Sequence, residues 1–134
     1  MTLSLARARR AAKFGAVGAS GVLVNMLVLW FIKERTSMPL WLASGVAIEL
    51  AILNNFVWNY HWTFVDRQAG ASQHWAKALL KYHLAVSVAA VSNFIILWLL
   101  HERLSMNYLL ANALGIVCGF AINYLFSEHW VFRK

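Results

Sequence analysis

Two stretches of this chain repeat each other: KFGAVGASGVLVNMLVLWFIKERTSMPLWLASGVAIELAILNNFVWNYHWTF at residues 13–64 and KYHLAVSVAAVSNFIILWLLHERLSMNYLLANALGIVCGFAINYLFSEHWVF at residues 81–132. They align without a gap at a constant offset of 68, and fifteen of the paired positions are identical. The identical pairs include Asn25/Asn93, Asn55/Asn123 and His61/His129. Shared hydrophobic composition does not explain so many identities, so each copy is one structural unit. Two apolar segments around a short polar turn predict that this unit is a helical hairpin.

The composition indicates a membrane protein. Hydrophobic residues make up 61% of the 134 residues and charged residues 13%, and the mean hydropathy is +0.60. Four apolar segments, TM1 to TM4, lie near residues 14–32, 40–60, 82–100 and 108–127. Each has the ~17–25 residues that a helix needs to cross ~30 Å of hydrocarbon, and none alternates like a barrel strand. We therefore predict an all-α membrane protein with four transmembrane helices, built as two tandem parallel hairpin repeats in one domain over residues 1–134.

The basic residues predict the orientation of the chain in the membrane. Because the number of crossings is even, both termini and the central loop share one side. That side carries nine of the twelve basic residues: Arg7, Arg9, Arg10, Lys13, Arg67, Lys77, Lys81, Arg133 and Lys134. The positive-inside bias assigns this side to the cytoplasm, so we predict a multi-pass protein of the cytoplasmic membrane with both termini cytoplasmic. This topology accounts for most of the net charge of +7 without nucleic-acid binding, and membrane lipids are the expected partners of the basic side.

TM1 and the central loop each allow a second interpretation. TM1 follows basic residues as a signal peptide does, but its apolar run is too long for one, and we expect it to remain in the mature protein. The cytoplasmic loop, residues 65–80, contains a Gly-Ala-Ser break at Gly70–Ser72. The amphipathic stretch from His74 to Lys81 then either lies in the headgroup plane or simply extends TM3.

Small and polar residues form a matching stripe in each copy. In TM4 it consists of Asn112, Gly115, Gly119, Asn123 and Ser127, and in TM2 of Ser44, Ala47, Ala51, Asn55 and Asn59. Such a stripe is either a packing seam in which amides hydrogen-bond between helices or the lining of a polar cleft for a sugar headgroup. The residues predicted to line the cleft are Asn25, Asn55, Asn59, Asn93, Asn112, Asn123 and Glu49.

Glu49 is the one ionisable residue deep within a predicted span. Helical periodicity directs it away from the TM2 stripe, and its counterpart in the second copy is the apolar Val117. A charged carboxylate at that depth costs at least about 2.5 kcal/mol, so we expect it to be neutral or hydrogen-bonded. A proton-coupling site, an interface hydrogen bond and a tolerated acid all remain open.

The residues do not assemble into an enzyme site. Asp66 is the only aspartate, so no Asp-x-Asp site for a metal-bound nucleotide exists, and no phosphate loop, nucleophile triad or metal-ligand spacing is present. We expect no catalytic residue, no cofactor and no metal. The residues predicted to contact a phosphate at the cytoplasmic boundary are His61, Lys81, His129 and Arg133, although boundary histidines are often only half solvated.

Several motifs give the chain a family resemblance. They are Lys13-Phe14 with Val17-Gly18 and Asn25, then Asn55-Phe56-Val57-Trp58-Asn59 before Trp62-Thr63-Phe64, and finally Asn123-Tyr124-Leu125-Phe126-Ser127 before Trp130-Val131-Phe132. On these motifs, over about residues 12–132, the chain resembles the GtrA family of small four-helix membrane proteins. Members of that family typically carry an arginine two residues before the tryptophan, where this chain has Tyr60 and Glu128.

The resemblance implies a role in cell-surface polysaccharide or glycolipid synthesis. It implies either that the protein flips a polyprenyl-phosphate-linked sugar across the membrane, or that it serves as an anchor or scaffold for a polyprenyl-phosphate glycosyltransferase. A proton-coupled exporter dependent on Glu49 is a third hypothesis. A tandem repeat of two-helix units keeps its orientation, so we expect a monomer with a lateral groove or a parallel homodimer.

Overall fold

The computed structural model describes residues 2–68 and 74–133, and over these residues the chain is helical with no strand. The α-helices are α1 (Thr2–Arg35), α2 (Leu40–Trp58), α3 (Val65–Gln68), α4 (Trp75–Trp98) and α5 (Tyr108–Phe126). Three π-helical segments directly follow long helices: π1 (Asn59–Thr63), π2 (Leu99–Arg103) and π3 (Ser127–Val131).

Within the described part of the chain, four helical stretches are long and apolar enough to cross a membrane. They cover Leu3–Arg35, Leu40–Thr63, Trp75–Arg103 and Tyr108–Val131. The prediction of an all-α protein with four helices of transmembrane length is confirmed. The membrane in which the protein lies and the side of its termini stay predictions.

The chain forms two compact units, residues 1–69 and 70–134. Hairpin 1 consists of α1, α2, π1 and α3, and hairpin 2 consists of α4, π2, α5 and π3. The single domain and the parallel arrangement of the two hairpins stay predictions.

The helices of each hairpin meet along small residues. In hairpin 1 the buried residues Val17 and Gly21 of α1 share this seam with Ala43 and Ala47 of α2. In hairpin 2 the buried small residues of the seam are Ala85, Ala89, Ala111, Gly115 and Gly119. Small side chains allow the two backbones to approach closely, which strengthens dispersion contacts where lipid provides no hydrophobic driving force.

A π-turn ends the second helix of each hairpin and folds an aromatic side chain back onto the first helix. The Phe64 amide donates to the Asn59 carbonyl at 2.8 Å, and the equivalent bond from Phe132 to Ser127 is 2.9 Å. Phe64 then packs edge-on against Phe14, with ring centroids 6.2 Å apart. These contacts bring the Trp-x-Phe motif of hairpin 1 to the beginning of α1.

The central connection is described only in part. Residues 69–73, including the predicted break at Gly70–Ser72, lie outside the described residues. The amphipathic stretch from His74 onward forms the first turns of α4, which begins at Trp75 and continues without interruption to Trp98. Its position relative to the headgroups stays a prediction.

Candidate functional site

A basic cleft lies in hairpin 1 between the beginning of α1 and the π1–α3 segment. Its volume is about 450 Å³. It is lined by Leu5, Ala6, Arg9, Arg10, Lys13, Trp62, Thr63, Val65 and Asp66. The helical period explains the α1 side, because residues 6, 9, 10 and 13 fall on one face of the helix. The other side is completed by the reversal of the chain at π1.

The cleft carries more positive than negative charge. Arg10 Nη1 lies 2.9 Å from Asp66 Oδ2, and the Arg10 side chain is only 11% exposed. Lys13 Nζ lies 5.0 Å from the centre of the Trp62 ring and donates to the Trp62 carbonyl at 3.3 Å. These contacts hold two of the three cations in place, and Asp66 is the one acid among the lining residues. An anion is therefore the complementary ligand.

Two apolar pockets follow the basic cleft along hairpin 1, and we treat them as the two parts of one groove. Its first part has a volume of about 330 Å³ and is lined by Ala16, Val17, Ser20, Trp58 and Trp62. Its second part has a volume of about 410 Å³ and is lined by Val24, Val28, Leu50, Leu53, Asn54, Val57 and Trp58. Trp62 lines both the cleft and the first part, and Trp58 lines both parts. We call these two parts together the α1–α2 groove.

The α1–α2 groove has the length of a lipid tail segment. From Ala16 to Val28 it follows α1 for about 18 Å at the helical rise of ~1.5 Å per residue. One polar point interrupts it, because Asn54 Nδ2 donates to Ser20 Oγ at 3.0 Å and to Asn55 Oδ1 at 3.2 Å. The basic cleft and the groove together suit a ligand with an anionic head and an apolar tail.

The amides predicted to line a cleft occupy the helix seams of the two hairpins. In hairpin 1 the Asn55 amide lies against Gly21, where a Cβ atom would be 2.8 Å from the Asn55 Cγ. In hairpin 2 Asn93 lies against Gly115, where a Cβ atom would be 2.8 Å from the Asn93 carbonyl oxygen. Within each hairpin, glycine makes the space that the asparagine occupies.

Asn93 and Asn123 each keep an unused acceptor. Within the described residues, the Oδ1 atoms of Asn93 and Asn123 are buried without a hydrogen-bond partner, although both side chains are half-buried overall. A buried acceptor without a partner costs about 1–3 kcal/mol and calls for an explanation. A sugar hydroxyl would supply the missing donor, but the role of these amides in a cleft stays a prediction.

The remaining predicted cleft residues are dispersed. Asn59 is buried as the first residue of π1 and Asn25 is half-buried on α1. Glu49 is exposed on α2, off the seam that contains Ala47, as its helical position indicated. Asn112 is exposed near the beginning of α5 and lines a different pocket. The structure therefore does not bring all seven residues to one place within either hairpin.

The four predicted phosphate contacts lie at the π-turn ends of the hairpins but do not line the basic cleft. His61 is exposed and packs edge-on against Tyr60 at 5.1 Å. His129 Nδ1 donates to the Leu125 carbonyl at 3.0 Å. Lys81 Nζ lies 5.6 Å from the centre of the Trp130 ring, and Arg133 is exposed. Their binding of phosphate stays a prediction.

Sequence reasoning missed the cations that line the cleft. Arg9, Arg10 and Lys13 indicated only the orientation of the chain, although Arg9 and Lys13 lie one helical turn apart. The two copies also differ here, because Ala78 takes the place of Arg10 in hairpin 2 and is buried. This difference between the two copies is the sequence feature that could have indicated a site specific to the first copy.

Comparisons with known proteins identify relatives that match most of this chain. Over 120 residues the chain is 43% identical to a dolichol-phosphate mannosyltransferase of Pyrococcus furiosus, covering 90% of this chain and 33% of that protein. The chain thus spans about a third of the length of this relative. Over 123 residues it is 25% identical to the uncharacterized membrane protein YngA of Bacillus subtilis, covering 90% of this chain and 77% of that protein.

The family model of the GtrA/DPMS transmembrane domain matches residues 13–132. This range contains both hairpins from Lys13 to Phe132, including π1 and π3. The resemblance inferred from the Asn and Trp-x-Phe motifs is confirmed. The chain belongs to the GtrA/DPMS transmembrane domain family.

Proposed function

We propose that the protein binds a polyprenyl-phosphate-linked sugar and flips it across the cytoplasmic membrane for cell-surface polysaccharide or glycolipid synthesis. The observation that carries this proposal is that the basic cleft shares Trp62 with the α1–α2 groove, whose two parts share Trp58. The family, which is linked to the handling of polyprenyl-phosphate sugars, supports the same substrate class.

The charge of the cleft suits a phosphate diester at the membrane boundary. Arg9, Arg10 and Lys13 line the cleft together with Asp66, which leaves a cationic excess there. Each Lys or Arg near an anionic surface contributes about 1 kcal/mol of attraction. The phosphate therefore binds at the cleft, and the prenyl chain follows the apolar groove past Trp62 and Trp58.

In the cleft, the Asp66 carboxylate competes with a bound phosphate for the Arg10 guanidinium. Asp66 is 54% exposed, so its carboxylate is accessible to water. An arriving phosphate exchanges with this carboxylate for the Arg10 guanidinium, which presents planar paired donors that suit phosphate oxygens. Exchange of one anion for another keeps Arg10 compensated and makes binding reversible, as transport requires.

The test is a leaflet-resolved assay with the purified full chain in proteoliposomes. Polyprenyl-phosphate glucose or mannose is loaded into both leaflets, and the outer sugar is captured by a lectin added outside the vesicles. We expect Arg9→Gln to lower the transfer rate about fivefold, which corresponds to the loss of about 1 kcal/mol of attraction at subsaturating lipid. We expect Asp66→Asn to raise lipid binding, because it removes the competing anion.

Arg7→Gln is the matched control, since Arg7 has the same charge on the same helix but does not line the cleft. Lys77→Gln is a second control, because Lys77 is the repeat counterpart of Arg9 in hairpin 2. We expect both controls to retain the wild-type rate. Transfer no faster than in empty liposomes, with lipid binding demonstrated, would overturn the flippase proposal.

The second candidate function is a membrane anchor or scaffold for a polyprenyl-phosphate glycosyltransferase. It is favoured by the match to only a third of a relative named as a mannosyltransferase. In this case the cleft presents the lipid phosphate to a partner enzyme, and this chain itself carries no catalytic residue. Arg9→Gln then lowers sugar transfer by the enzyme complex, whereas purified protein alone moves no lipid between leaflets.

A further inference from the structure

A further pocket, mostly apolar with a few polar groups, lies in hairpin 2 at the end opposite to Lys81 and Trp130. It has a volume of about 490 Å³ and occupies the junction of α4, π2 and α5. The residues that line it are Phe94, Leu97, Trp98, His101, Glu102, Tyr108, Leu109 and Asn112. We call it the turn pocket. None of these residues lines the basic cleft or the α1–α2 groove.

Local backbone features shape the turn pocket. The π2 segment follows α4 directly, and π-helical insertions alter the direction of the side chains that follow. Ser105, two residues after π2, has a φ of 54°, a left-handed conformation that is uncommon for residues other than glycine. The Asn107 side chain caps α5 by accepting from Leu109 N at 2.9 Å and Leu110 N at 3.3 Å. Together these features direct π2 and the beginning of α5 toward the same space.

The polar groups of the pocket are complementary to hydroxyls. His101 Nδ1 lies 2.9 Å from the Met106 carbonyl, which can only accept, so Nδ1 carries the hydrogen and Nε2 of the neutral ring is an acceptor. Glu102 Oε1 lies 4.0 Å from that Nε2. Asn112 adds an amide that both donates and accepts, and Tyr108 adds a phenol. Acceptors and donors from α5 and π2 thus surround one space.

The aromatic side chains give the same space a flat apolar face. Trp98 and Phe94 are 44% and 68% exposed. The Arg103 guanidinium carbon lies 5.4 Å from the centre of the Trp98 ring, and Tyr108 packs edge-on against His101 at 6.2 Å. A pyranose ring has two matching surfaces, because its C–H groups form an apolar face and its hydroxyls project at the edge. A purely apolar ligand would form no hydrogen bond with Glu102 or Asn112.

The first copy does not reproduce this chemistry. The repeat counterparts of His101, Tyr108 and Asn112 are Lys33, Leu40 and Ser44. Lys33 Nζ donates to the Met38 carbonyl at 3.1 Å, so both copies close the turn with the same bond. The first copy, however, stays α-helical to Arg35 without a π-turn. Both copies share the tryptophan that aromatic anchoring at a membrane boundary would use, whereas His101, Tyr108 and Asn112 are found in hairpin 2 alone.

We propose that the turn pocket is a binding site for the sugar ring of the lipid-linked substrate. The assignment of that sugar to a polyprenyl phosphate rests on the proposed function, whereas recognition of a pyranose rests on the pocket itself. A free acyl chain does not fit, because it would leave Glu102 against hydrocarbon. Inorganic phosphate alone does not account for the pocket either, because it would make no use of the exposed aromatic faces of Trp98 and Phe94.

The test uses a glycoside without a lipid tail, so that it does not depend on transport. The full chain is labelled with ¹⁵N at its tryptophan indoles, placed in phosphatidylcholine nanodiscs and titrated with methyl α-D-glucopyranoside or methyl α-D-mannopyranoside. We expect a saturable shift of the Trp98 indole N–H signal at millimolar sugar, the range expected of a small ligand held by few contacts. The Trp98→Phe variant assigns the signal.

The repeat supplies matched controls. Glu102→Gln and Asn112→Ala should each raise the dissociation constant of the glycoside at least about fivefold, the effect of losing one good hydrogen bond to a charged or polar partner. Glu34→Gln, at the repeat counterpart of Glu102, and Arg9→Gln, in the basic cleft, should leave it unchanged. Circular dichroism of each variant verifies that the helices form.

Three results would overturn the proposal. They are a Trp98 signal that does not saturate, an equal shift of the Trp30 signal in hairpin 1, or an equal response to inorganic phosphate. Because the glycoside carries no phosphate or tail, these results leave the flippase proposal unaffected. Conversely, absence of lipid transfer with retained glycoside binding would contradict the flippase proposal alone.

Discussion

At Gly115 the two helices of hairpin 2 lie too close together to admit a side chain. A Cβ atom there would lie 2.8 Å from the carbonyl oxygen of Asn93, which belongs to a helix backbone and cannot move alone. We expect Gly115→Ala to lower the free energy of unfolding by about 1–3 kcal/mol, the usual cost of overpacking. Unfolding in mixed micelles with increasing denaturing detergent, followed by circular dichroism, measures this change.

Gly18→Ala is the matched control for this prediction. Nothing lies within 4 Å of a Cβ atom at Gly18, so alanine should be neutral or should stabilise α1 by up to about 1 kcal/mol through its helix propensity. If the Gly115→Ala and Gly18→Ala variants have the same free energy of unfolding, the close approach of α4 and α5 at Gly115 is contradicted.

The seam glycines also show that the repeat does not predict which residues contact each other across the helix seam. In hairpin 1 the glycine of the asparagine–glycine contact is on the first helix, as Gly21 facing Asn55, and in hairpin 2 it is on the second helix, as Gly115 facing Asn93. Sequence periodicity placed Gly115 and Asn55 on the small-residue stripes of TM4 and TM2. It did not indicate which glycine accommodates which amide, because that depends on the rotation and offset of the paired helices.

At the scale of elements, π1 and π3 turn the Trp-x-Phe motif into a packing contact. Phe64 is completely buried and Phe132 is 1% exposed, and Phe132 packs against Tyr82 with ring centroids 6.1 Å apart. We expect Phe64→Ala to lower the free energy of unfolding of hairpin 1 by about 3–5 kcal/mol, because it leaves a cavity in the end of the hairpin.

The consequence of this substitution should extend to the basic cleft. Without Phe64 the π1 segment loses its anchor on α1, so Trp62 is no longer held under Lys13. The emission of Trp62, in a variant whose other tryptophans are replaced by phenylalanine, should shift and broaden. Phe31→Ala is the control, since Phe31 is 57% exposed, and an equal destabilisation by both would contradict the anchoring role.

The π-turns were not predictable from the sequence. A π-helical turn differs from an α-helical turn by one inserted residue, and the apolar pattern of TM2 and TM4 runs through it without a break. The repeated Trp-x-Phe motif indicated that both ends matter. Only the fold shows that the phenylalanine of the motif packs against the first helix of its hairpin.

At the scale of the whole molecule, the basic residues predict a single topology, with both termini in the cytoplasm. In a Cys118→Ala background, which lacks the one native cysteine, Ser37→Cys lies in the turn after α1 and Ser4→Cys lies near the N-terminus. We expect a membrane-impermeant maleimide to label Ser37→Cys in intact cells and to label Ser4→Cys only after the membrane is permeabilised.

The same measurement tests how two copies of the chain could assemble. Equal labelling of both positions in intact cells would mean that the protein inserts in both orientations, which an antiparallel dimer requires. It would contradict the single topology and the parallel homodimer that the repeat predicts. Labelling of Ser4→Cys alone in intact cells would show that the orientation is the reverse of the predicted one, with the basic cleft at the outer surface.

The amino-acid sequence by itself determined that the protein has two repeats and four membrane-length helices. In hydrocarbon the backbone has to satisfy its own hydrogen bonds within each segment, so the length and apolarity of a segment are enough to predict a helix. The family followed from the same local motifs. These features depend on residues that are near one another in the chain.

Only the tertiary structure decided which side chains come together at the candidate site. Asp66 meets Arg10 across 56 positions of sequence, and this contact requires α2 to return along α1 and π1 to reverse the chain at its end. The same reversal aligns the basic cleft with the α1–α2 groove. Local apolar pattern carries no information on such contacts, because they depend on how the helices pack and not on whether they form.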